Sequence, residues 1–194
     1  PYRSESLINM PEKPEGADWN TPPTYIDKIR YRGDGSGYLR SGNRQIFTLP
    51  VTGGTPRQLT FSDFNHGAPT WSADDKHLYF SANFHEDEDL EPLDSEIHRI
   101  SLSDGTIKTL TDRYGPDQSP VLSPDGSKIA YTGFDDKHQG YQVQRLYLMN
   151  SDGSGSSLIS GDFDRDVQNL YWDEKGRGLY FQYDDQGDTK IGYI

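Results

Sequence analysis

The side chains of this chain that could do chemistry are mainly carboxylates and histidines in short polar stretches. Residues 85–91 form an acidic run that could hold a cation or the basic end of a peptide, or could be a solvated loop. Residues 162–166 place carboxylates at alternate positions, as the start of a calcium loop does. Such a loop would have Val167 and Asp173 where Gly and Glu are usual, so turn capping and pairing with Arg165 are favoured.

Other catalytic and metal-binding patterns are missing from the sequence. The five histidines have no tight ligand spacing, so no metal site and no cofactor are predicted: His66, His77, His85, His98 and His138. His98 lies within a strand pattern and is expected to pack. The absence of cysteine excludes disulfides and thiolate sites. No Gly-x-Ser-x-Gly elbow is present, so no catalytic residue is assigned.

One polar insertion is the first candidate for a binding surface. Its residues are Asp135, Asp136, Lys137, His138, Gln139 and Tyr141. Loops held on a rigid scaffold are where binding residues concentrate, so we expect this insertion to contact another domain or to gate access to a site. Residues 85–95 are the second candidate, and a plain exposed loop is the alternative in both cases.

A phrase that returns three times indicates the elements that position these loops. Its copies span residues 68–80, 119–131 and 169–181. Leu78, Ile129 and Leu179 hold equivalent places, 51 and 50 residues apart. The turn Ser123-Pro124-Asp125-Gly126 joins two strands, because Pro presets φ, Asp bonds nearby backbone and Gly tolerates positive φ. Self-similarity at this period is typical of repeat architectures.

A second hairpin belongs to each unit. Alternating apolar and polar residues flank Gly-containing turns in residues 45–60, 96–111 and 145–160. Four short strands per unit, stacked radially, describe a β-propeller blade, and a period of about 50 residues is near that of kelch blades. We therefore predict an all-β fold, a β-propeller of four-stranded blades that is present as an incomplete arc of roughly three to four blades.

The repeats also give the predicted domain boundaries. Residues 1–24 form an extended Pro-rich connecting segment, and residues 25–194 form a partial propeller. The predicted blades are residues 25–65, 66–115, 116–164 and a truncated 165–194. Propellers typically close with 4–8 blades, so the chain is expected to be an arc of a larger ring or to share a ring with another chain. Open blade edges would favour self-association.

Composition limits the classes of partner. The net charge of −12 argues against nucleic acid, because phosphate contacts need clustered Lys and Arg. No apolar run is long enough to suggest a membrane span. The low hydrophobic content of 31%, with 20 Gly and 12 Pro, fits a β fold dense in turns. The lack of cysteine favours the cytoplasm and leaves the periplasm open.

These residues resemble a known family. The Ser-Pro-Asp-Gly phrase with Leu-Thr unit endings is similar to the propeller repeats of TolB and of prolyl oligopeptidase-family serine peptidases. Segments outside the phrase are similar to the acylaminoacyl-peptidase branch: residues 14–19, 31–35, 53–60, 110–117, 131–137 and 183–187. Together these segments extend over nearly the whole chain.

The resemblance implies a propeller that restricts access to the active site of a peptidase. In that family the propeller caps a C-terminal α/β-hydrolase domain, which carries the Ser, Asp and His of the triad and cleaves short peptides. The expected partners are that hydrolase domain of the same protein and the peptide substrates of the parent. The alternative is a TolB-like protein-binding propeller with no enzymatic activity.

Overall fold

The computed structural model describes residues 12–20, 25–39 and 42–194. The chain forms two compact units, Pro1–Gly42 and Asn43–Ile194. In the first unit, β1 (Arg32–Gly33) and β2 (Gly37–Tyr38) form a short antiparallel hairpin. Of the predicted connecting segment 1–24, residues 12–20 are described. They contain a turn in which the Ala17 N–H donates to the Pro14 carbonyl at 3.1 Å.

The second unit consists of antiparallel sheets that follow one another along the chain. The first sheet is the pair β3 (Phe47–Thr48) and β4 (Arg57–Gln58). The second has four strands: β5 (Thr70–Trp71), β6 (His77–Ala82), β7 (Glu96–Ser101) and β8 (Ile107–Thr109). The third also has four: β9 (Asp117–Leu122), β10 (Lys128–Gly133), β11 (Arg145–Asn150) and β12 (Ser157–Leu158). The last has three: β13 (Gln168–Trp172), β14 (Leu179–Asp185) and β15 (Asp188–Tyr193).

The repeated phrase forms a side-chain-bonded turn, as the sequence predicts. The Ser123 hydroxyl donates to Asp125 Oδ1 at 2.6 Å and accepts from the Lys128 N–H at 2.9 Å. Ser72 makes the matching bond to Asp74 at 2.6 Å in the preceding sheet. Gly126 has a φ of 72°, a conformation that glycine adopts without strain. These bonds fix the hairpin between the first two strands of the second and third sheets.

The apolar core lies between successive sheets. Phe80 and Ile100 pack with residues of the first sheet, and Tyr79 and Ile97 pack with residues of the third. On the far side of the third sheet, Leu146 packs with the last sheet. Sheets that bury both faces against their neighbours in this way are blades. The predicted all-β, incomplete propeller is thereby confirmed.

The outer face of the last sheet carries a row of exposed tyrosines. Tyr171 pairs with Tyr180 and Tyr180 with Tyr193 across the strands, and these residues are between 45% and 68% exposed. Their equivalents on β6 and β10, Tyr79 and Ala130, are buried against the next sheet. Within the described residues, no further sheet packs on this row. The same described part of the chain has no helix long and apolar enough to cross a membrane.

Candidate functional site

The two candidate insertions leave the same end of their blades. Residues 83–95 join β6 to β7, and residues 134–144 join β10 to β11. Residues 110–116, which join β8 to β9, reach the same end because Asp117 begins β9 opposite Gly133, the last residue of β10. These three connections therefore lie at the same strand ends of the second and third sheets.

Arg113 ties the insertion 134–144 to the start of β9. Its Nη1 donates to Asp135 Oδ1 at 3.1 Å, and its Nη2 donates to Asp117 Oδ1 and to the Pro116 carbonyl. The guanidinium also lies 4.4 Å from the centre of the Tyr147 ring, within the range of a cation–π contact. Asp117 is fully buried and the Arg113 side chain is 21% exposed, so the carboxylate of this pair is held away from water.

Tyr114 connects both insertions. Its hydroxyl donates to Glu91 Oε2 at 2.6 Å and lies 3.3 Å from His138 Nε2, while its carbonyl accepts from the Asp136 N–H. The bond to Glu91 raises the pKa of Tyr114 to about 12, so the phenol stays neutral at physiological pH. Because its proton goes to Glu91, the contact with His138 is satisfied when Nε2 of that ring carries a proton.

A group of buried carboxylates lies beneath these loops. Glu96 Oε2 accepts from the Thr111 hydroxyl, which in turn accepts from the Ile97 N–H at 2.9 Å. Burial raises the pKa of Glu96 to about 7, and repulsion by Asp117 adds to the shift. Burial likewise raises the pKa of Asp117 to about 6, although Arg113 opposes that shift. These acids are costly to ionise in the folded chain.

His85 brings an imidazole to the same group. Its Nε2 lies 3.3 Å from Asp94 Oδ2. The other oxygen of Asp94, Oδ1, accepts from the Gly115 N–H at 3.1 Å. One ligand atom from each of His85, Asp94 and Glu96 lies within 4.8 Å of the others. The spacing of these residues along the chain does not predict this arrangement, because the connection folds back and brings His85 against the start of β7 at Glu96.

The structure brings together half of the six predicted loop residues. Asp135, Asp136 and His138 contact Arg113 or Tyr114 as described above. Lys137 uses its N–H to donate to Gln142 at 2.6 Å, and Gln139 and Tyr141 are exposed. Sequence reasoning missed Arg113, Tyr114, Glu96 and Asp117 as parts of a site. For Arg113, Tyr114 and Asp117, the sequence signal was that segment 110–117 resembles peptidase propellers.

The acids at 162–166 form ion pairs and hydrogen bonds to backbone. Arg165 Nη2 lies 3.1 Å from Asp185 Oδ1, and Asp166 Oδ1 accepts from the Gln144 N–H at 2.7 Å. Arg165 Nη1 also lies 3.5 Å from Asp164 Oδ2, which confirms the prediction of pairing with Arg165, whereas the Asp166 bond spans 22 residues and leaves turn capping a prediction.

Replacing Gly133 by alanine is expected to destabilise the second unit by about 1–3 kcal/mol, because a new methyl group must fit into a filled space. A Cβ at this position would overlap the Pro116 carbonyl oxygen, Arg113 Nη2 and Asp117 Oδ1. Urea unfolding monitored by circular dichroism measures the change. Gly140→Ala is the matched control, since a Cβ there meets no atom within 4 Å. Equal stability of the two variants would contradict the expectation.

Comparison with known proteins places this sequence in a family. A family model described as the dipeptidyl peptidase IV (DPP IV) N-terminal region matches residues 20–136. A peptidase of Bacillus subtilis, YuxL, is 36% identical over 67 residues, which are 34% of this chain and 10% of that protein. Dipeptidyl-peptidase 5 of Aspergillus fumigatus is 34% identical over 92 residues, which are 46% of this chain and 12% of that protein. The chain thus spans a small part of the length of both relatives.

A solved structure supports the same fold. The putative TolB of Agrobacterium tumefaciens superposes with a TM-score of 0.61 at 22% identity, over 87% of this chain and 55% of that one. The predicted resemblance to the N-terminal propeller of a prolyl oligopeptidase-family peptidase with TolB-like repeats is confirmed. Because the family model matches more than half of the chain, the protein belongs to the dipeptidyl peptidase IV N-terminal region family of peptidase propeller domains.

Proposed function

We propose that this chain is an arc of the substrate-gating propeller of an acylaminoacyl- or prolyl oligopeptidase-type serine peptidase. Hydrolysis would be carried out by an α/β-hydrolase domain of the same protein, through a Ser nucleophile, a His base and an orienting Asp. The observation that carries the proposal is the joining of the two longest insertions at one blade end by Arg113 and Tyr114. Loops tied in this way form a fixed rim.

The rim would select substrates by size and by charge. Insertions anchored to buried strands cannot move aside without breaking the bonds from Arg113 to Asp135 and from Tyr114 to Glu91. Large or folded polypeptides would therefore be excluded. The carboxylates gathered here would also repel acidic peptides at low ionic strength.

The exposed tyrosine row on the last sheet fits the same proposal. In the preceding blades the equivalent positions are covered by the next sheet, so we infer that a further blade covers Tyr171, Tyr180 and Tyr193 in the complete ring. Self-association of the isolated arc through this open blade would be the consequence of leaving the row uncovered.

The first test is activity. The isolated chain is expected neither to hydrolyse aminoacyl 4-nitroanilides nor to react with a fluorophosphonate probe, whereas the full-length parent does both. In the parent, replacing residues 135–141 by two glycines should raise kcat/KM for long peptides relative to short ones by about tenfold, equivalent to about 1.4 kcal/mol of discrimination. Shortening the turn at 151–155, at the opposite blade end, is the control. An unchanged ratio would contradict gating, and labelling of the isolated chain would contradict the location of catalysis.

A TolB-like binding propeller without an enzyme is the second candidate. The Ser-Pro-Asp-Gly turn and the four-stranded blades favour it as much as they favour a peptidase. The coding sequence beyond Ile194 separates the two. A Gly-x-Ser-x-Gly elbow followed by Asp and His supports the peptidase, and a stop codon soon after ring closure supports the binding scaffold.

A further inference from the structure

The imidazole of His85 and the carboxylates of Asp94 and Glu96 form a mixed nitrogen and oxygen donor set. We propose that these three residues bind a divalent transition-metal ion, with Zn²⁺ as the best match, and that the ion fastens the connection 83–95 to β7. Two atoms that are each about 2.1 Å from one tetrahedral zinc ion are roughly 3.4 Å apart. The 3.3 Å between His85 Nε2 and Asp94 Oδ2 already has this spacing.

The third ligand is within reach of the same point. One carboxylate atom of Glu96 lies within 4.8 Å of the ligand atoms of His85 and Asp94. A side-chain rotation that shortens this distance by up to about 1.4 Å completes three protein ligands, and water fills the fourth position.

Both carboxylates are oriented by partners that are not ligands. The Gly115 N–H holds Asp94 Oδ1 and leaves Oδ2 directed at His85. The Thr111 hydroxyl holds Glu96 Oε2, and Thr111 is fixed by the Ile97 N–H. Hydrogen bonds of this kind to ligating carboxylates are a regular part of metal sites.

The negative charges around the donor set favour the binding of a cation. Glu96 is repelled by Asp117, Asp94 and Asp112. Among the described residues, neither Asp94 nor Glu96 forms an ion pair with Lys or Arg.

Asp117 adds an independent observation. Its Oδ2 is fully buried and accepts no hydrogen bond. Its carboxyl group lies beside the Thr111 hydroxyl, the same hydroxyl that donates to Glu96. A buried carboxylate oxygen without a donor is costly to retain unless a positive charge lies close by. Arg113 supplies one such charge at Oδ1, and an ion at the three ligands would add a second.

The donor types favour zinc over the harder cations. Ca²⁺ takes 6–8 oxygen ligands, and Mg²⁺ keeps a near-octahedral oxygen shell, so neither matches one imidazole and two carboxylates. Imidazole with carboxylate at three positions is common for zinc. This inference does not depend on the proposed gating function.

Isothermal titration of the chelator-treated chain with Zn²⁺ tests the site. We expect one ion per chain and a rise in the unfolding temperature on binding. His85→Ala should weaken Zn²⁺ binding by about tenfold or more, and Asp94→Asn should do the same. Ca²⁺ at equal concentration should not bind at this site. Because His85 is half exposed and lies in a loop, its replacement leaves the core intact.

The matched control is His77→Ala. His77 lies 3.9 Å from Asp74 at the opposite blade end, without a third ligand. Zinc binding should be unchanged in this variant, and zinc should shift the imidazole NMR signals of His85 but not those of His77. The proposal is overturned if zinc does not bind, or if His85→Ala binds zinc as well as the parent chain does. It is also overturned if His85→Ala and His77→Ala lose zinc binding equally. Binding of a free peptide amine at His85 in place of zinc would also overturn it.

Discussion

Arg113→Ala is expected to lower the free energy of unfolding by about 3–5 kcal/mol at pH 8, the range found when one partner of a buried ion pair is removed. The replacement leaves the Asp117 carboxylate, which is fully buried, without its guanidinium partner. It also removes the contact of Arg113 with the Tyr147 ring and the bond to Asp135. Arg113 therefore joins the insertion 134–144 to the start of β9, and the replacement removes both of these contacts.

The loss of unfolding free energy in Arg113→Ala should increase as the pH rises. Burial already raises the pKa of Asp117 to about 6 in the presence of Arg113, and loss of Arg113 raises that pKa further. A group whose pKa is raised by folding contributes stability at low pH and loses it as the pH rises through the folded-state pKa. The variant should therefore be closest to the parent chain near pH 5, where Asp117 is protonated, and furthest from it at pH 8.

Urea unfolding of both chains at pH 5 and pH 8 measures this difference. Arg165→Ala is the control, because Arg165 pairs with Asp185 at a partly exposed site and should cost about 1 kcal/mol or less. A loss in Arg113→Ala that is no larger than in the control at pH 8 would show that the buried pair is not a major source of stability.

The repeated turns were predictable because their chemistry is local. Ser123, Asp125 and Gly126 lie within four residues and close their own hydrogen bonds, so the sequence alone indicates the hairpin. The apolar positions Leu78 and Ile129 follow from the same period. Their burial on the sheet face that meets the preceding sheet confirms this interpretation.

The contacts that make the candidate site are not local. Arg113 meets Asp135 across 22 residues because β9 pairs with β10, and the Tyr114 hydroxyl meets Glu91 across 23 residues because the neighbouring blades pack face to face. No periodicity specifies which loop residues meet at a blade end. His85 was judged by its distance along the chain to other histidines, whereas its partners are the carboxylates Asp94 and Glu96.

Backbone irregularities also escape a pattern-based prediction. Ser119 and Asn169 hold equivalent places in β9 and β13, and both have a φ near 50° where the pairing register shifts. Asn tolerates this conformation readily, whereas Ser gives little signal for it. A bulge that recurs at the same blade position re-aims the strand end towards the loops of the site.

His98 is expected to make the chain lose stability on acidification. The ring is buried in β7 between Phe80 and Phe84, with Nε2 3.1 Å from the Ala82 carbonyl and Nδ1 3.1 Å from Thr109 Oγ1. In the neutral ring, Nε2–H donates to the carbonyl and Nδ1 accepts from the hydroxyl. The predicted packing role is confirmed, and burial lowers the pKa of His98 from 6.5 to about 4.

The direction of the pH dependence of stability follows from this lowered pKa. Between pH 6.5 and 4 the unfolded chain binds the proton and the folded chain does not, so stability falls as the pH falls through this window. The loss is at most about 3 kcal/mol and levels off below pH 4. His66 faces the same aromatic group, and burial lowers the pKa of His66 in the same direction. Weak repulsion by His85 adds to the lowering of the pKa of His98. Glu96 acts oppositely, because its raised pKa makes the folded chain bind a proton as the pH falls through about 7.

A variant separates His98 from these other groups. His98→Gln removes the titrating ring, so its stability should fall by about 2–3 kcal/mol less than that of the parent chain between pH 7 and pH 4.5. His77→Gln, at the start of β6, should keep the pH dependence of the parent. Urea unfolding at the two pH values gives both slopes. If His98→Gln and the parent lose stability equally, the buried ring does not take up its proton on unfolding, and acid sensitivity must come from other groups whose pKa is lowered in the folded chain, such as His66 and Asp125.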